Sequence, residues 1–300
     1  MRFYAFKITS PTKIGLGVAL STSFRFNPIN VISHNSIYNS ENYVIDLFFE
    51  GTSSVIKNKI NSDSSLLESF NFVKDGVKVV GPAKDFAFSE TKINNNFYPM
   101  TTGKNIAKYY LQWMNLYCCR DKSQIEKHHA TDIRLREEFI FNRPKIVVRK
   151  TGNEIVAAYD DSNYYYEQSL FSISLIDSTS PYNIKYILAI LNSHLANYLL
   201  KIEPFSNKET FPQIRLHWLK SFPIKNIDYS VNDQKDKHDK LVAYVDQMIQ
   251  TQKDSCNTKR EEDKKLYEQK INILDNKIDE LVYKLYGLTE DEIKIVEGER

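Results

Sequence analysis

Glycine is scarce, at 9 of 300 residues, and none of the nine falls into a G-x-G-x-x-G or Walker pattern. Dinucleotide and nucleoside-triphosphate cradles need such glycines for tight turns and close approach of backbone to phosphate. Those two site types are therefore excluded. Cysteine is scarcer still. Cys118, Cys119 and Cys256 form an odd set with one adjacent pair, which is neither a disulfide framework nor a zinc or redox spacing. This usage reads as that of a reduced, cytoplasmic protein. Long apolar runs are missing too. The most apolar short stretch, "IGLGVAL" at residues 14–20, follows Lys13 and loosely mimics a signal-peptide core, but it is far shorter than a membrane span. A buried strand is the reading adopted for it, and no membrane association is expected. His128 and His129 are adjacent and would point apart on a helix, so they read as a surface pair.

What is present is ample material for a core: 42% hydrophobic and 13% aromatic residues, with Tyr and Phe prominent. The net charge of +2 carries no whole-chain argument, but its distribution does. Residues 101–150 hold 11 Lys and Arg against 5 Asp and Glu, whereas residues 251–300 hold 10 against 13. A local basic excess suits a phosphate-binding face and also suits an ordinary solvated surface.

Along the chain, "RFYAFKI", "IGLGVAL" and "YVIDLFF" read as strands, separated by turn-prone "NPIN" and "HNSIYNSEN". Helices are expected around "SVIKNKI" and "SLLESF". Asp75-Gly76 predicts a hairpin turn between two short apolar runs, and a helix is expected from about Asn105. The clearest sheet signal lies in residues 143–176. Ile146-Val147-Val148 and Ile155-Val156-Ala157 flank Thr151-Gly152-Asn153, a turn able to take positive φ, and "LFSISLI" follows as a third strand. Residues 182–201 show apolar positions at three- and four-residue spacing and predict one core helix. In "FPQIRLHWLKSFPI" (residues 211–224), alternation around Ile214 and Leu216 predicts a strand, "HWLKS" a short helical turn, and Phe222-Pro223-Ile224 an exit. A polar linker, "DYSVNDQKDKHDK", then precedes an amphipathic helix with Leu241, Val245 and Met248 on one stripe. Ile271, Leu274, Ile278, Leu281 and Leu285 form a heptad seam, so an antiparallel helix pair is expected. Thr289 and Glu292 form a capping box.

Chemistry-bearing groupings are few. Asp85 with Glu90 and Lys92 faintly echoes a metal-nuclease arrangement of two carboxylates and a lysine, without strands to frame it. Asp160-Asp161 reads as a turn. The basic residues are better placed. Lys74 and Lys78 flank a turn, Gly103-Lys104 lies in a polar loop, Arg149 and Lys150 precede the Thr-Gly-Asn turn, and Arg215, His217, Trp218 and Lys220 lie in the 211–224 strip. Such residues neutralise phosphates, and arginine also reads guanine. The residues alone leave this open against scattered surface charge.

The order of "FNFVKDGVKVVG", "YPMTTGKNIAKYYLQW", "RPKIVVRKTGNEIVAAYDD", "YNIKYILAILNSHLANYLLK", "FPQIRLHWLKSFPI" and "IDELVYKLYGLTEDEIKIVEG" resembles the TaqI-like C-terminal specificity domain of adenine-specific DNA methyltransferases. It is similar also to half of a type I specificity subunit. The resemblance covers roughly residues 70–300. It implies a mixed α/β fold with a small mixed or antiparallel sheet, followed by an antiparallel helix pair. The implied division is 1–65 as a partial α/β segment like the tail of a methyltransferase domain, 66–230 as a target-recognition domain, and 231–300 as a helical spacer or dimerisation arm. The implied partners are double-stranded DNA and a methyltransferase domain or subunit, with dimerisation through the arm as a further option. The Asn-Pro-Pro-Tyr tetrapeptide and the glycine-containing methyl-donor loop are absent, so no cofactor is expected in this chain. S-adenosylmethionine is expected in the associated methyltransferase. Matched by position, the resemblance points to Lys78, Gly103, Lys104, Arg149, Thr151, Gly152 and Arg215 as lying near the DNA groove or holding its walls. Lys74, Lys150 and Lys220 complete the candidate DNA-binding set, and no catalytic or metal-ligating residue is assigned. Two other classes stay open: a divergent methyltransferase active in itself, and a coiled-coil scaffold. In the 211–224 strip, the apolar residues are expected to pack the junction between recognition sheet and helical arm.

Overall fold

The computed structural model describes residues 3–10, 13–19, 26–33, 51–176, 180, 182–203 and 213–298. The chain divides into two compact units, Met1–Asn58 and Lys59–Arg300. In the first, β1 (Phe3–Ser10), β2 (Lys13–Ala19) and β3 (Phe26–Ser33) form an antiparallel meander in that order. The "NPIN" run, expected as a turn, lies inside β3. Two features let a proline sit there: among the described strands β3 lies at the edge, and the register slips between Leu16 and Gly17, opposite Pro28. Edges and bulges are where a residue without an N–H is tolerated in a sheet. The expected strand "YVIDLFF" and turn "HNSIYNSEN" lie outside the described residues. Helix α1 (Gly51–Asn61) follows, as "SVIKNKI" predicts.

The second unit runs β4 (Ser64–Leu66), β5 (Asn71–Asp75), β6 (Lys78–Val80), α2 (Ala83–Ala87), β7 (Phe88–Ser89), β8 (Phe97–Thr101), β9 (Tyr117–Cys119), α3 (Lys122–Lys127) and β10 (Asp132–Arg134). It continues β11 (Lys145–Arg149), β12 (Ala157–Asp160), β13 (Tyr165–Tyr166), β14 (Leu170–Leu175), α4 (Ile184–Asn192), α5 (His194–Ile202), α6 (Leu216–Lys220) and β15 (Pro223–Lys225). Helices α7 (Asn232–Asn257), α8 (Glu261–Tyr286) and α9 (Glu290–Glu297) close it. The fold class is mixed α/β, as expected.

The central sheet is four-stranded and antiparallel, in the order β12-β11-β14-β5. The expected β11–β12 pairing is there, with Ile146 opposite Tyr159 and Val148 opposite Ala157, but the second strand starts at Ala157, so Ile155 and Val156, expected in it, belong to the connection. Alternation puts Val147, Ala158 and Leu170 on one face, where they join a core with Val77, Met100, Phe141 and Tyr166. The other face presents Ile146, Val148 and Ile173, all fully buried, and α4 packs on β11 and β12. The outer edge of β12 is closed by the backbone of Tyr109, whose N–H donates to the Ala157 carbonyl (2.7 Å), and by side chains. Asn192 accepts from the Ala157 N–H (3.0 Å) and donates to its carbonyl (2.9 Å), while Asn197 accepts from the Ile155 N–H (2.7 Å). An exposed edge would invite pairing with another chain. A second sheet has the order β13-β8-β9-β7.

Several local expectations give way to tertiary contacts. "SLLESF" forms β4 and a 3-10 turn, because β4 pairs with β15. The Asp75-Gly76 hairpin does not form: β5 pairs with β14 and β6 with β10, so the two strands belong to different sheets. No helix starts at Asn105, whose backbone ends a 3-10 turn before extended chain. The single core helix is two, α4 and α5. Ser193 breaks them apart, its hydroxyl donating to the Ile190 carbonyl (2.7 Å) and accepting from the Ala196 N–H (3.2 Å), which is N-cap chemistry in place of helix continuation. The strand around Ile214 is reduced to a single bridge between Gln213 and Thr151. The polar linker is largely the first turns of α7, and the Thr289–Glu292 capping box is present.

Helices α7 and α8, 26 residues each, are joined by residues 258–260 and pack along one another. Leu241, Val245 and Met248 are fully buried, as are Leu274 and Ile278 nearly so. Val282 takes the place expected for Leu281 in the seam. The reason is that α8 also packs on α4 and α5, so its buried face is wider than a two-helix stripe.

The joint between α8 and α5 is ionic. Asp279 accepts from the His194 backbone N–H (2.8 Å) and meets its Nδ1 at 2.6 Å. That hydrogen bond raises the His194 pKa above its usual 6.5, although the ring is half exposed. A raised folded-state pKa contributes stability that is fully present below about pH 6.5 and is lost as pH climbs through the folded value. The melting-temperature gap between wild type and His194→Gln is therefore expected to be widest near pH 5.5 and to shrink towards pH 8.5. A gap that grows with pH would refute this account of the joint.

Candidate nucleic-acid interface

Of the residues picked out by sequence, Gly103 and Lys150 hydrogen-bond to one turn, residues 166–170, between β13 and β14, and Arg149 is tied to it through Gly103. Local chain chemistry explains its shape: Leu170 N–H closes back on the Glu167 carbonyl (2.9 Å), and Glu167 Oε2 accepts from the Ser169 N–H (3.0 Å). Three other segments dock on it. Val77 N–H donates to the Tyr166 carbonyl and Gln168 N–H to the Val77 carbonyl, both at 2.8 Å. Glu167 N–H donates to the Thr101 carbonyl (3.1 Å), and Gly103 N–H to Ser169 Oγ (3.0 Å). Lys150 N–H donates to the Ser169 carbonyl (3.0 Å), and Ile214 N–H to the Lys150 carbonyl (2.7 Å). The loop after β8, the turn after β11 and the start of the 213–220 segment are thereby held side by side.

Arg149 locks the assembly. Its Nε donates to the Gly103 carbonyl at 2.7 Å and its Nη2 to the Ile106 carbonyl. A planar guanidinium with donors in a fixed fork suits this double anchoring, and a lysine would not replace it. A Cβ at Gly103 would make only ordinary contact with Arg149 Cγ (3.4 Å) and Ser169 Cβ (3.5 Å). Gly152 has φ +146°, which an L side chain rarely adopts.

The cations then divide into two kinds. Lys150 lies with its ammonium 4.4 Å above the Phe171 ring, and burial lowers its pKa. Lys78 pairs with Asp132 (2.7 Å) and, by that hydrogen bond, lowers the Asp132 pKa. Lys220 pairs with Glu68 (3.0 Å). Beside the turn, Arg136 pairs with Asp75 (2.5 Å) and Lys84 with Glu167 (3.6 Å). Lys74 and Lys104 make no ion pair with any described residue, and Lys104 is exposed. Thr151 and Arg215 are exposed as well, Arg215 at the N-cap of α6.

Ser169, Glu167 and Arg136 belong to this arrangement and escaped the sequence reading. Ser169 and Glu167 sit in the short polar run after "NYYY", which carries no motif; only its position between two strands marks it. Asp85 lies in α2, with Glu90 and Lys92 on the loop after β7. Among the described residues no cluster of His, Cys, Asp or Glu could hold a metal ion, and no helix is long and apolar enough to cross a membrane.

The 211–224 strip also finds its place. Ile214, Trp218, Leu219 and Phe222 are buried, and α6 packs on β5. Tyr286 of α8 donates to the Pro223 carbonyl (2.9 Å) and accepts from the Lys225 N–H (3.1 Å), tying the exit of the strip to the helix pair. Phe211 and Pro212 lie outside the described residues.

This segment, from β8 through β15, is the part of the chain that matches a known family. Residues 98–224 match the TaqI-like C-terminal specificity domain. The Arg149–Gly103 anchor, the Ser169 turn and α6 all fall inside the matched residues. Similar solved structures include the type IIL restriction-modification enzyme MmeI in complex with DNA, 13% identical, covering 93% of this chain and 40% of that one, with a TM-score of 0.48. The HsdS subunit from Thermoanaerobacter tengcongensis is 14% identical, covering 83% of this chain and 51% of that one, TM-score 0.33. The type I restriction-modification S subunit from M. genitalium is 16% identical, covering 62% of this chain and 39% of that one, TM-score 0.35. The chain thus spans about half or less of these proteins. No match was found among curated proteins.

Proposed function

We propose that this chain is the DNA target-recognition module of a restriction-modification system. The observation that carries the reading is the coincidence of two things in one segment: the specificity-domain match over residues 98–224, and the convergence there of three loops bearing Lys104, Thr151 and Arg215. In this reading Arg149, Gly103 and Ser169 hold the walls. Lys104 and Lys74 meet phosphates, Arg215 lies on the same face, and Lys78 and Lys220 exchange their carboxylate partners for phosphate, a change that costs little because surface ion pairs are weak. Lys150, Thr151 and Gly152 shape the turn beside them. The chain is not catalytic by itself. It delivers an adenine-specific methyltransferase domain or subunit, which binds S-adenosylmethionine, to double-stranded DNA. Residues 66–230 do the recognising and residues 231–300 serve as spacer, with a second copy of the arm as a dimer partner in some assemblies.

The test is duplex binding by the full chain, alone and with its methyltransferase, titrated with salt. Lys104→Ala is expected to weaken binding about equally on every sequence and to lower the slope of log K against log salt by about 1. Salt-independent binding, or none with the methyltransferase present, would sink the proposal. Binding of S-adenosylmethionine by the isolated chain would point instead to a methyltransferase active in itself.

A further inference from the structure

At the opposite end of β8 from Gly103, residues 90–95 form an exposed loop between β7 and β8. The loop precedes the segment that matches the specificity domain, and the assignments above leave it without a role. It is anchored rather than slack. Asn94 Oδ1 accepts from the Asn96 N–H (2.8 Å), and the Asn94 carbonyl accepts from the Phe97 N–H (3.2 Å). Its Nδ2 donates to Gln124 Oε1 of α3 (3.3 Å), and Asn96 Nδ2 donates to Asp121 Oδ2 (3.2 Å). Arg120 N–H donates to the Asn96 carbonyl (2.8 Å). The C-terminal flank of the loop is therefore fixed on α3 and on Arg120 and Asp121 just before it, while at the other flank Ser89 of β7 pairs with Tyr117 of β9.

The exposed side chains of Glu90, Lys92, Ile93 and Asn95 remain outside this network. Lys92 and Asn95 are exposed and make no hydrogen bond or ion pair with another described residue, and Ile93 is 52% exposed. A single exposed apolar residue is ordinary. Here it sits on a tethered loop between an uncommitted ammonium and an uncommitted amide. Those are the three chemistries that distinguish base pairs in the major groove: lysine towards guanine O6 and N7, an apolar group against the thymine methyl, and asparagine bidentate to adenine N6 and N7. Pre-ordering such groups lowers the entropy lost on binding. At roughly 3.3 Å per residue, β8 separates this loop from Lys104 by about 15 Å, comparable to a major groove of about 12 Å. One end can rest on backbone while the other lies against base edges.

We propose that Lys92, Ile93 and Asn95 are specificity-determining residues that read base edges in the major groove. This rests on the DNA-recognition reading above. The experiment is selection from a randomised duplex library by the full chain, followed by measurement of each variant on the selected consensus and its single mismatches. Asn95→Ala and the near-isosteric Asn95→Asp are expected to lose discrimination at one adenine by tenfold or more, and Ile93→Ala at one thymine by less. The salt slope should stay unchanged for both. Lys104→Ala is expected to do the reverse, keeping discrimination and losing slope. The same consensus and the same mismatch ratios from the Lys92→Ala, Ile93→Ala, Asn95→Ala triple variant would overturn the proposal while leaving the recognition reading intact. A wild-type chain that enriches no sequence would instead overturn the recognition reading and this assignment with it.

Discussion

Lys145→Met is expected to destabilise the second unit by about 3–5 kcal/mol, the largest effect of any single substitution considered for this protein. Lys145 and Asp160 face each other across β11 and β12, and both side chains are wholly shielded from solvent. Burial pushes each towards its neutral form, lowering the lysine pKa and raising that of the aspartate, while the partner's charge pulls each back. Both groups are partnered beyond each other. Lys145 Nζ donates to Asp160 Oδ2 (2.6 Å) and to the Phe141 carbonyl (2.8 Å). Asp160 also accepts from the N–H groups of Ser162 (2.9 Å) and Tyr164 (3.1 Å). Removing the ammonium leaves a buried carboxylate without its counter-charge. The double variant Lys145→Met, Asp160→Leu removes that isolated charge and is expected to recover much of the loss. It should stay below wild type, because the Ser162 and Tyr164 amides lose their acceptor. Urea unfolding of the three proteins checks this. A cost below about 1 kcal/mol for the single change would mean that the site admits water and that the pairing argument fails.

Gly76→Ala is expected to cost about 3 kcal/mol or more, for a steric reason rather than a conformational one. A Cβ at Gly76 would lie 2.3 Å from the Tyr166 carbonyl oxygen and 2.5 Å from that of Glu167. Both obstacles are backbone, and both belong to the turn on which the candidate interface is assembled. The strain cannot be relieved by a side-chain rotation. It must push β5 and β6 off residues 166–167 or break the Val77–Tyr166 hydrogen bond. Two readouts should therefore move together: the unfolding midpoint falls, and protection from hydrogen exchange is lost at Val77 and Gln168. Gly152→Ala is the contrasting case. It is strained by its positive φ, yet a Cβ there would have its nearest neighbour at 3.4 Å, so its cost is expected to be the smaller. Equal effects at the two glycines would contradict this account.

The two substitutions bracket what could be read from residue order. Asp160 carries the same sequence signature as Asp161, and as a pair they look like a turn. Only Asp161 is in the turn; Asp160 is buried because β12 ends one residue later than its apolar pattern suggests and places it opposite Lys145. Asp75-Gly76 has the composition of a hairpin, and its glycine is needed, but for close approach to residues 166–167 and not for a turn. In the sequence Arg149 stands out as a cation just before a turn. That its guanidinium is committed to the carbonyls of Gly103 and Ile106 depends on residues more than 40 positions away. Ser169 had no legible signal, since one serine in a polar run is indistinguishable from any other.

By itself the sequence determined what short-range periodicity and capping chemistry can specify. That includes the hairpin around Thr151-Gly152-Asn153, the apolar faces of α7 and α8, the capping box at Thr289, and an order of segments distinctive enough to resemble a specificity domain. Tertiary structure alone decided which strands share a sheet, which of the basic residues are spent on internal carbonyls and carboxylates, and which are left to face outward. The physical reason is range. Helix faces and caps are settled within about four residues, whereas the partner of a strand edge or a buried charge is set by whatever the whole chain brings alongside it.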